Sequence, residues 1–258
     1  MLVAITSGKA SPGATTSSWA LALAWQSPLL VVDCDAAGGD MASGLVVGRV
    51  STDHGLLSWS TATRRAPAID AAAMIGQHAI ALPEAAHLWL MPGLQNAGQA
   101  SAMTSGGWDR LALALERADS LIARDVLVDT GRLGPQSCWP VLRAADQILL
   151  AVRPTVRSVR AAIQVAESLR EQLGDLQKVG ALVVGAGPYG ARQVAEELRV
   201  PVGGQLPEDR PAAAALSDGA PVVARGLSAT RLLRAASILV SRMARLEMAT
   251  RYTAGSTR

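Results

Sequence analysis

Ser7 to Thr16 reads S-G-K-A-S-P-G-A-T-T, and its glycines and hydroxyls are spaced like those of a loop that wraps phosphate. Gly8, four residues, Gly13, one residue and Thr15 keep the frame G-x-x-x-x-G-K-[ST]. In that frame backbone N–H groups cradle the phosphates, the lysine reaches them, and the hydroxyl meets a magnesium ion. Here the lysine position is Ala14, while a lysine stands near the front of the loop at Lys9. Lys9 and Lys178 are the only lysines among 24 basic residues, so a lysine inside a glycine loop is not background composition.

Carboxylates recur at matching places further along. Asp33 and Asp35 close the apolar run L-L-V-V-D-C-D, and Asp129 closes D-V-L-V-D. Carboxylate and hydroxyl oxygens from separate strand ends, facing a phosphate loop, suit a hard cation such as Mg²⁺ held against phosphate. The spacing therefore makes Thr15, Asp33 and Asp129 candidate metal-side residues.

These groups meet only if the chain folds to bring strand ends together. Short apolar runs at Leu2–Ile5, Leu29–Val32, Leu88–Met91, Val126–Val128, Ile148–Val152, Val179–Val184 and Val202–Leu206 read as strands. Most lack polar alternation, the pattern of strands covered on both faces. Helical spacing lies between them, at Thr15–Gln26, Ile69–Ala81, Trp108–Asp119, Val156–Leu173 and Ala191–Leu198. Such alternation predicts right-handed βαβ units in one α/β domain, a doubly wound, mostly parallel sheet flanked by helices. Ligands of such sheets bind beyond the carboxyl ends of the strands, where the lysine, glycines and aspartates fall. No Ser/Pro-rich linker divides the chain. The expected organisation is one domain over residues 1–248 and a polar, disordered tail over 249–258.

Composition fits. The chain has 258 residues, 50% hydrophobic, with a formal net charge of +3, enough apolar content for a sizeable core. There is no Phe and aromatics are 3%, so Ala, Leu and Val are expected to fill that core. Cys34 and Cys138 have no metal-ligand spacing and suit a reducing cytoplasm. The N-terminus lacks a basic region ahead of its short apolar stretch, so no signal peptide is expected. No apolar run reaches the length of a transmembrane helix.

The loop S-G-K-A-S-P-G-A-T-T resembles the deviant Walker A loop of the ParA/MinD group of dimerising P-loop ATPases, written K-G-G-x-G-K-[ST]-[ST]. Lys9 falls on the signature lysine, Ala10 and Ser11 on the two glycines, and Pro12 on the variable position. Gly13 falls on the invariant glycine, Ala14 on the ordinary P-loop lysine, and Thr15 and Thr16 on the two hydroxyls. L-L-V-V-D-C-D-A-A-G-G-D-M-A resembles the family's second strand, with Asp35 at the aspartate that positions the attacking water. D-V-L-V-D-T-G resembles its Walker B strand, with Asp129 facing magnesium. A-D-Q-I-L-L-A-V-R-P-T-V-R-S-V-R-A-A is similar to the next strand and helix. The stretch from Val179 to Leu216 resembles the C-terminal strand, helix and strand, with Pro207 near the nucleotide base.

The resemblance covers nearly all of residues 1–245 and is nearest to degenerate members, including the CpaE/TadZ type that positions Tad pilus or secretion machines. It implies ATP or ADP with Mg²⁺, cradled by Gly8 through Thr16 and by Pro207. It implies a homodimer in which Lys9 reaches the partner's phosphates, and a cytoplasmic switch that positions a cargo or machine, peripheral to membrane or nucleoid. Lys9 and Asp35 are then the residues acting on the reaction. Ala14 removes the cation at the β- and γ-phosphates, so hydrolysis is expected to be slow or absent, at most a slow Mg-dependent ATPase. Side chains at Ala10 and Ser11, and Pro12, alter the loop's path and donors. The alternative is a non-catalytic scaffold working through protein contacts.

The segment S-A-T-R-L-L-R-A-A-S-I-L-V-S-R-M-A-R-L-E-M predicts a terminal helix capped by Ser228, with Leu232, Leu233, Ala236, Leu239, Val240, Met243 and Leu246 on one apolar stripe. Arg231, Arg234, Arg242 and Arg245 lie off that stripe, as a solvated basic face or as a surface for DNA phosphates or acidic lipid.

Overall fold

The computed structural model describes residues 1–9, 13–46, 48, 51, 53–83, 85–103, 106–220 and 226–255; for Ala97, Ala102 and residues 250–255 it describes the backbone only. The elements run in the order β1 (Leu2–Ser7), α1 (Ala14–Ala24), β2 (Leu29–Asp33), α2 (Leu56–Ala62), α3 (Ala68–Ala73), α4 (Ile75–His78), β3 (Ile80–Ala81) and β4 (Leu88–Met91). There follow α5 (Ala97–Ala100), α6 (Gly107–Glu116), α7 (Ala118–Ile122), β5 (Asp125–Arg132), α8 (Trp139–Ala144), β6 (Gln147–Val152) and α9 (Val156–Leu173). The chain continues through β7 (Val179–Val184), α10 (Ala191–Leu198), β8 (Val202–Leu206) and α11 (Arg210–Ser217) to α12 (Arg231–Gly255).

The eight strands form one sheet in the order β3-β4-β2-β5-β1-β6-β7-β8. Every pairing is parallel except that of β3 with β4. The central strands β1, β2 and β7 are buried along their whole length, as their unbroken apolar runs require.

Alternate side chains feed two cores. Val3, Ile5, Leu29, Val31, Leu149, Ala151, Leu182 and Val184 face one layer, where α1, α11 and α12 pack. Ala4, Leu30, Val32, Val128, Ile148, Leu150, Val152 and Val183 face the other, beneath α6, α8, α9 and α10. Small residues bring α1 close to the sheet, and tryptophans supply the bulk that Phe would otherwise give: Trp19 and Trp59 are fully buried. The expected Ala/Leu/Val core is thus extended by tryptophan. Fully burying a Leu or Val contributes about 1.5–3 kcal/mol, so this layered apolar face outweighs the weak helix propensity of the Thr and Ser in α1.

The seven strands expected from the sequence are all present. The expected helix Ile69–Ala81 is instead α3, α4 and then β3. Gly76 lies against the Trp89 ring, and the backbone of Ile80 and Ala81 pairs with Leu90 and Trp89 at the sheet edge. Tertiary pairing overrides helical spacing there. The terminal helix is capped by Thr230 rather than Ser228: the Thr230 Oγ1 accepts from the Leu233 N–H at 3.3 Å. That helix runs to Gly255, past the boundary drawn at residue 248, and its buried stripe ends at Met243: Leu246, expected on the stripe, is exposed because the helix has by then passed the sheet. No helix among the described residues is long and apolar enough to cross a membrane.

Candidate functional site

β1 lies at the centre of the sheet, so its carboxyl end opens between β5 and β6. Gly8 follows it, buried against α9; a Cβ there would meet the Ala161 carbonyl oxygen at 2.9 Å. Lys9 is exposed. Ala10, Ser11 and Pro12 lie outside the described residues. Gly13 turns into α1 with φ 89°, a left-handed conformation that costs a side-chain-bearing residue free energy. Helical bonding begins with the Ser17 N–H to the Gly13 carbonyl at 2.9 Å. The N–H groups ahead of Ser17 are left facing outward, no acidic side chain sits in the first turn, and the helix end is a ready anion site. Ala14 is buried under this turn, so the site's own loop carries no cation at that position.

The carboxylates stand across the β1 end. Asp33 and Asp129 are direct neighbours in the β2–β5 register, and both are buried. The Thr15 hydroxyl lies near the Asp129 carboxylate and favours its charged form, and that carboxylate accepts from the Gly131 N–H at 2.9 Å. Burial pushes the Asp129 carboxyl up to about 6; Gly131 and Thr15 oppose that rise, and Asp35 and Asp40 add repulsion. Burial, then the charge of Asp129, holds Asp33 well above the usual carboxylate range. Its oxygens accept from the Asp35 N–H at 3.2 Å and the Met41 N–H at 3.1 Å. Gly39 and Gly93 pack directly on its carboxyl group. Asp33 therefore fixes the turn that carries Asp35.

Asp35 is half-buried and accepts from the Ala37 N–H at 2.8 Å. Burial raises its carboxyl, Asp40 reinforces the shift, and Ala37 and Arg132 oppose it. Gly131, at φ 57°, lies against the Asp35 carboxylate; a Cβ there would overlap it. The β1–β5 register shifts at this point, and the Ser7 hydroxyl donates to the Gly131 carbonyl at 3.2 Å. Gly131 and Asp40 are site residues that the spacing did not single out, although both sit in the quoted stretches D-T-G and A-A-G-G-D. Cys34 is core, as expected, with its thiol in contact with that of Cys138.

Beside the loop, a cavity of about 670 Å³ is lined by Gly185, Ala186, Pro207, Glu208, Arg210, Pro211 and Arg231. Gly13 touches Val184 at its edge, 3.6 Å from a Cβ position to Cγ1. Asp209 ties the Pro207 loop down: one carboxylate oxygen accepts from the Ala212 N–H of α11, the other from the Arg231 N–H of α12 at 3.0 Å. The structure thus brings together Gly8, Gly13, Ala14, Thr15, Asp35, Asp129 and Pro207 at one sheet edge, with Thr16 on the same helix turn. Among the described residues no three His, Cys, Asp or Glu side chains form a ready-made cation cage. The donors present are hydroxyl and carboxylate oxygens, the set a magnesium ion shares with phosphates.

No protein-family model and no curated protein matches this chain in sequence. Solved structures do match in shape. A ParA family ATPase from Chlorobium tepidum superposes with a TM-score of 0.72 at 16% identity, over 93% of this chain and 98% of that one. MinD from Pyrococcus horikoshii, complexed with Mg-ADP, gives 0.71 at 17% identity, over 95% and 96%. The fold is that of the ParA and MinD ATPases. Aquifex aeolicus MinD in complex with MinC gives 0.70 at 20% identity, over 94% and 95%. The ParA/MinD fold explains why the loop, the two aspartate-bearing strands and the Pro207 loop converge: each occupies the carboxyl edge of the same parallel sheet.

Proposed function

We propose that the chain is a ParA/MinD-like, nucleotide-dependent dimerising switch that positions a cargo or a larger machine. The observation that carries this reading is the placing of Thr15, in the first turn of α1, beside the strand end that holds the buried Asp129. That placing joins a hydroxyl, a carboxylate and an open helix N-terminus at one point. The N–H groups of the Gly13–Thr16 turn bind the phosphates, and the Pro207 cavity takes the nucleoside. Thr15 and Asp129 are the residues that would hold Mg²⁺, whose charge offsets that of the phosphates. Asp33 orients the turn rather than reaching the ion. Asp35 accepts a hydrogen bond from the attacking water, and its raised carboxyl suits a group that also takes up a proton.

Lys9, exposed at the loop, acts across a homodimer on the partner's phosphates. Ala14 favours a second reading, a pseudo-ATPase scaffold that binds nucleotide without turnover. In α12, Arg231, Arg234, Arg242 and Arg245 are exposed, together with Ile238, Leu246 and Met248. This face is the surface for acidic lipid or DNA phosphate, and such a protein works in the cytoplasm, at a membrane or at the nucleoid. A positioning or secretion machine, including one of Tad type, supplies its protein partner.

Light scattering of the full chain with and without MgATP, run beside phosphate release, tests the reading. Dimer formation on ATP with slow release supports the switch. Dimer formation without release, with release restored by Ala14→Lys, selects the scaffold. No ATP-dependent change in mass removes the switch and leaves the scaffold.

A further inference from the structure

The loop has lost a cation at Ala14, yet a second one stands beside it. Arg153 directly follows β6, and the β1–β6 register pairs Ser7 with Ala151. The phosphate loop and Arg153 therefore leave the sheet side by side. Ala151 faces the α1 layer and Val152 the opposite one, so the alternation returns Arg153 to the face where Ala14 lies. Its guanidinium follows that direction: Nη1 lies 3.8 Å from the Cβ position of Gly185, a residue of the cavity's lining, and the Glu208 Oε2 lies 3.9 Å from the same point.

The backbone of Arg153 is fixed on both sides. Its N–H donates to the Ser158 hydroxyl at 2.9 Å, and its carbonyl accepts from the Thr155 N–H at 2.8 Å. The two arginines that line the cavity are committed. Arg210 Nε donates to the Glu208 carboxylate at 3.1 Å, and Arg231 Nη2 donates to the Glu208 carbonyl at 3.2 Å. Among the described residues no hydrogen bond or ion pair engages the Arg153 side chain. Glu208 is the nearest anion but no hydrogen bond or ion pair joins it to Arg153, so the half-buried guanidinium is left open to an anionic ligand.

We propose that Arg153 is a phosphate-binding residue that supplies, within the same chain, the positive charge missing at Ala14. The planar fork donates to the α- and β-phosphate oxygens of a nucleotide seated between the α1 N-terminus and the Pro207 cavity. This assignment rests on the nucleotide reading above. It also explains how a loop with Ala14 can hold a polyphosphate before any partner brings Lys9.

The test is competition of MgADP and adenosine against a fluorescent ATP analogue, on the full chain. Arg153→Ala is expected to weaken MgADP by roughly 10- to 100-fold, the worth of a charged hydrogen bond, and to leave adenosine unmoved. Arg153→Lys keeps the charge and recovers most of the loss. Glu208→Gln tightens MgADP, because it removes the nearest anion. Arg153→Met, which keeps the apolar stem, serves if the alanine variant melts early. Equal MgADP affinity in wild type and in both neutral variants overturns the assignment while leaving the nucleotide reading intact. So does a Glu208→Gln loss matching that of Arg153→Ala, since Arg153 would then only brace Glu208. Wild type that binds no analogue and no MgADP overturns the nucleotide reading itself.

Discussion

The two halves of the candidate site have diverged. The carboxylate half, at the ends of β2 and β5, keeps all its acids: Asp33 and Asp129 stand in register with Asp35 on the turn after β2, braced by backbone N–H groups and packed glycines. The phosphate half keeps its left-handed Gly13, its helix N-terminus and Thr15, but buries Ala14 where a P-loop carries lysine. Anionic clusters in a dry edge are costly in the absence of cations, and burial lifts all three carboxyls accordingly. Under the proposed reading, such a cluster beside a loop with alanine at the lysine position suits the holding of Mg-nucleotide more than its hydrolysis. Binding can rest on N–H groups and helix dipole, whereas phosphoryl transfer depends on charge placed at the transferring group.

The contrast can be broken from either side. Asp129→Asn acts on the carboxylate half and should weaken MgADP by about 100-fold or more, from loss of a charged metal ligand. Calorimetry in Mg²⁺ against EDTA reads this, and a change that is the same in both buffers would place Asp129 outside the metal site. Ala14→Lys acts on the depleted half and should tighten MgATP by roughly tenfold or more and raise turnover further. Single-turnover phosphate release measures it, and unchanged release would mean that Lys9 already supplies the charge.

Gly131→Ala places a Cβ on Asp35 at positive φ, so denaturant unfolding should show a loss of about 2 kcal/mol. A neutral result would contradict the packing of β5 against Asp35. The smallest effect is on pH. The Asp129 carboxyl is raised from its unfolded range to about 6, so the folded state binds the extra proton between roughly pH 4 and pH 6. Stability without Mg²⁺ therefore falls as pH rises through that window, and Asp129→Asn should flatten the fall. Chemical melts at pH 4.5 and 7 in EDTA decide the sign.

Most of the fold was legible because β1, β2, β5, β6 and β7 are doubly buried, and their apolar runs carry no competing signal. The two-residue β3 was not, since pairing with β4 exists only in three dimensions and its sequence continues a helical spacing. Thr15 and Asp129 could be associated because the loop into α1 follows β1 and Asp129 lies on β5, two adjacent and clearly marked strands. Asp33 was read as a metal-side group; the structure adds that one oxygen accepts from the Asp35 amide and the other from the Met41 amide, which ties it to the turn carrying Asp35. Gly131 and Arg153 were illegible for a related reason: a glycine in D-T-G and an arginine after a strand are common, and only the contact with Asp35 and the position beside Gly185 give them roles.

The most direct measurement is titration calorimetry of MgADP into the full chain at pH 7, repeated with Thr15→Val. Saturable binding of one nucleotide per chain, lost on removal of the Thr15 hydroxyl, is the predicted result. No heat of binding at millimolar MgADP, or binding indifferent to Thr15, would contradict a nucleotide site built from Gly13, Thr15 and Asp129.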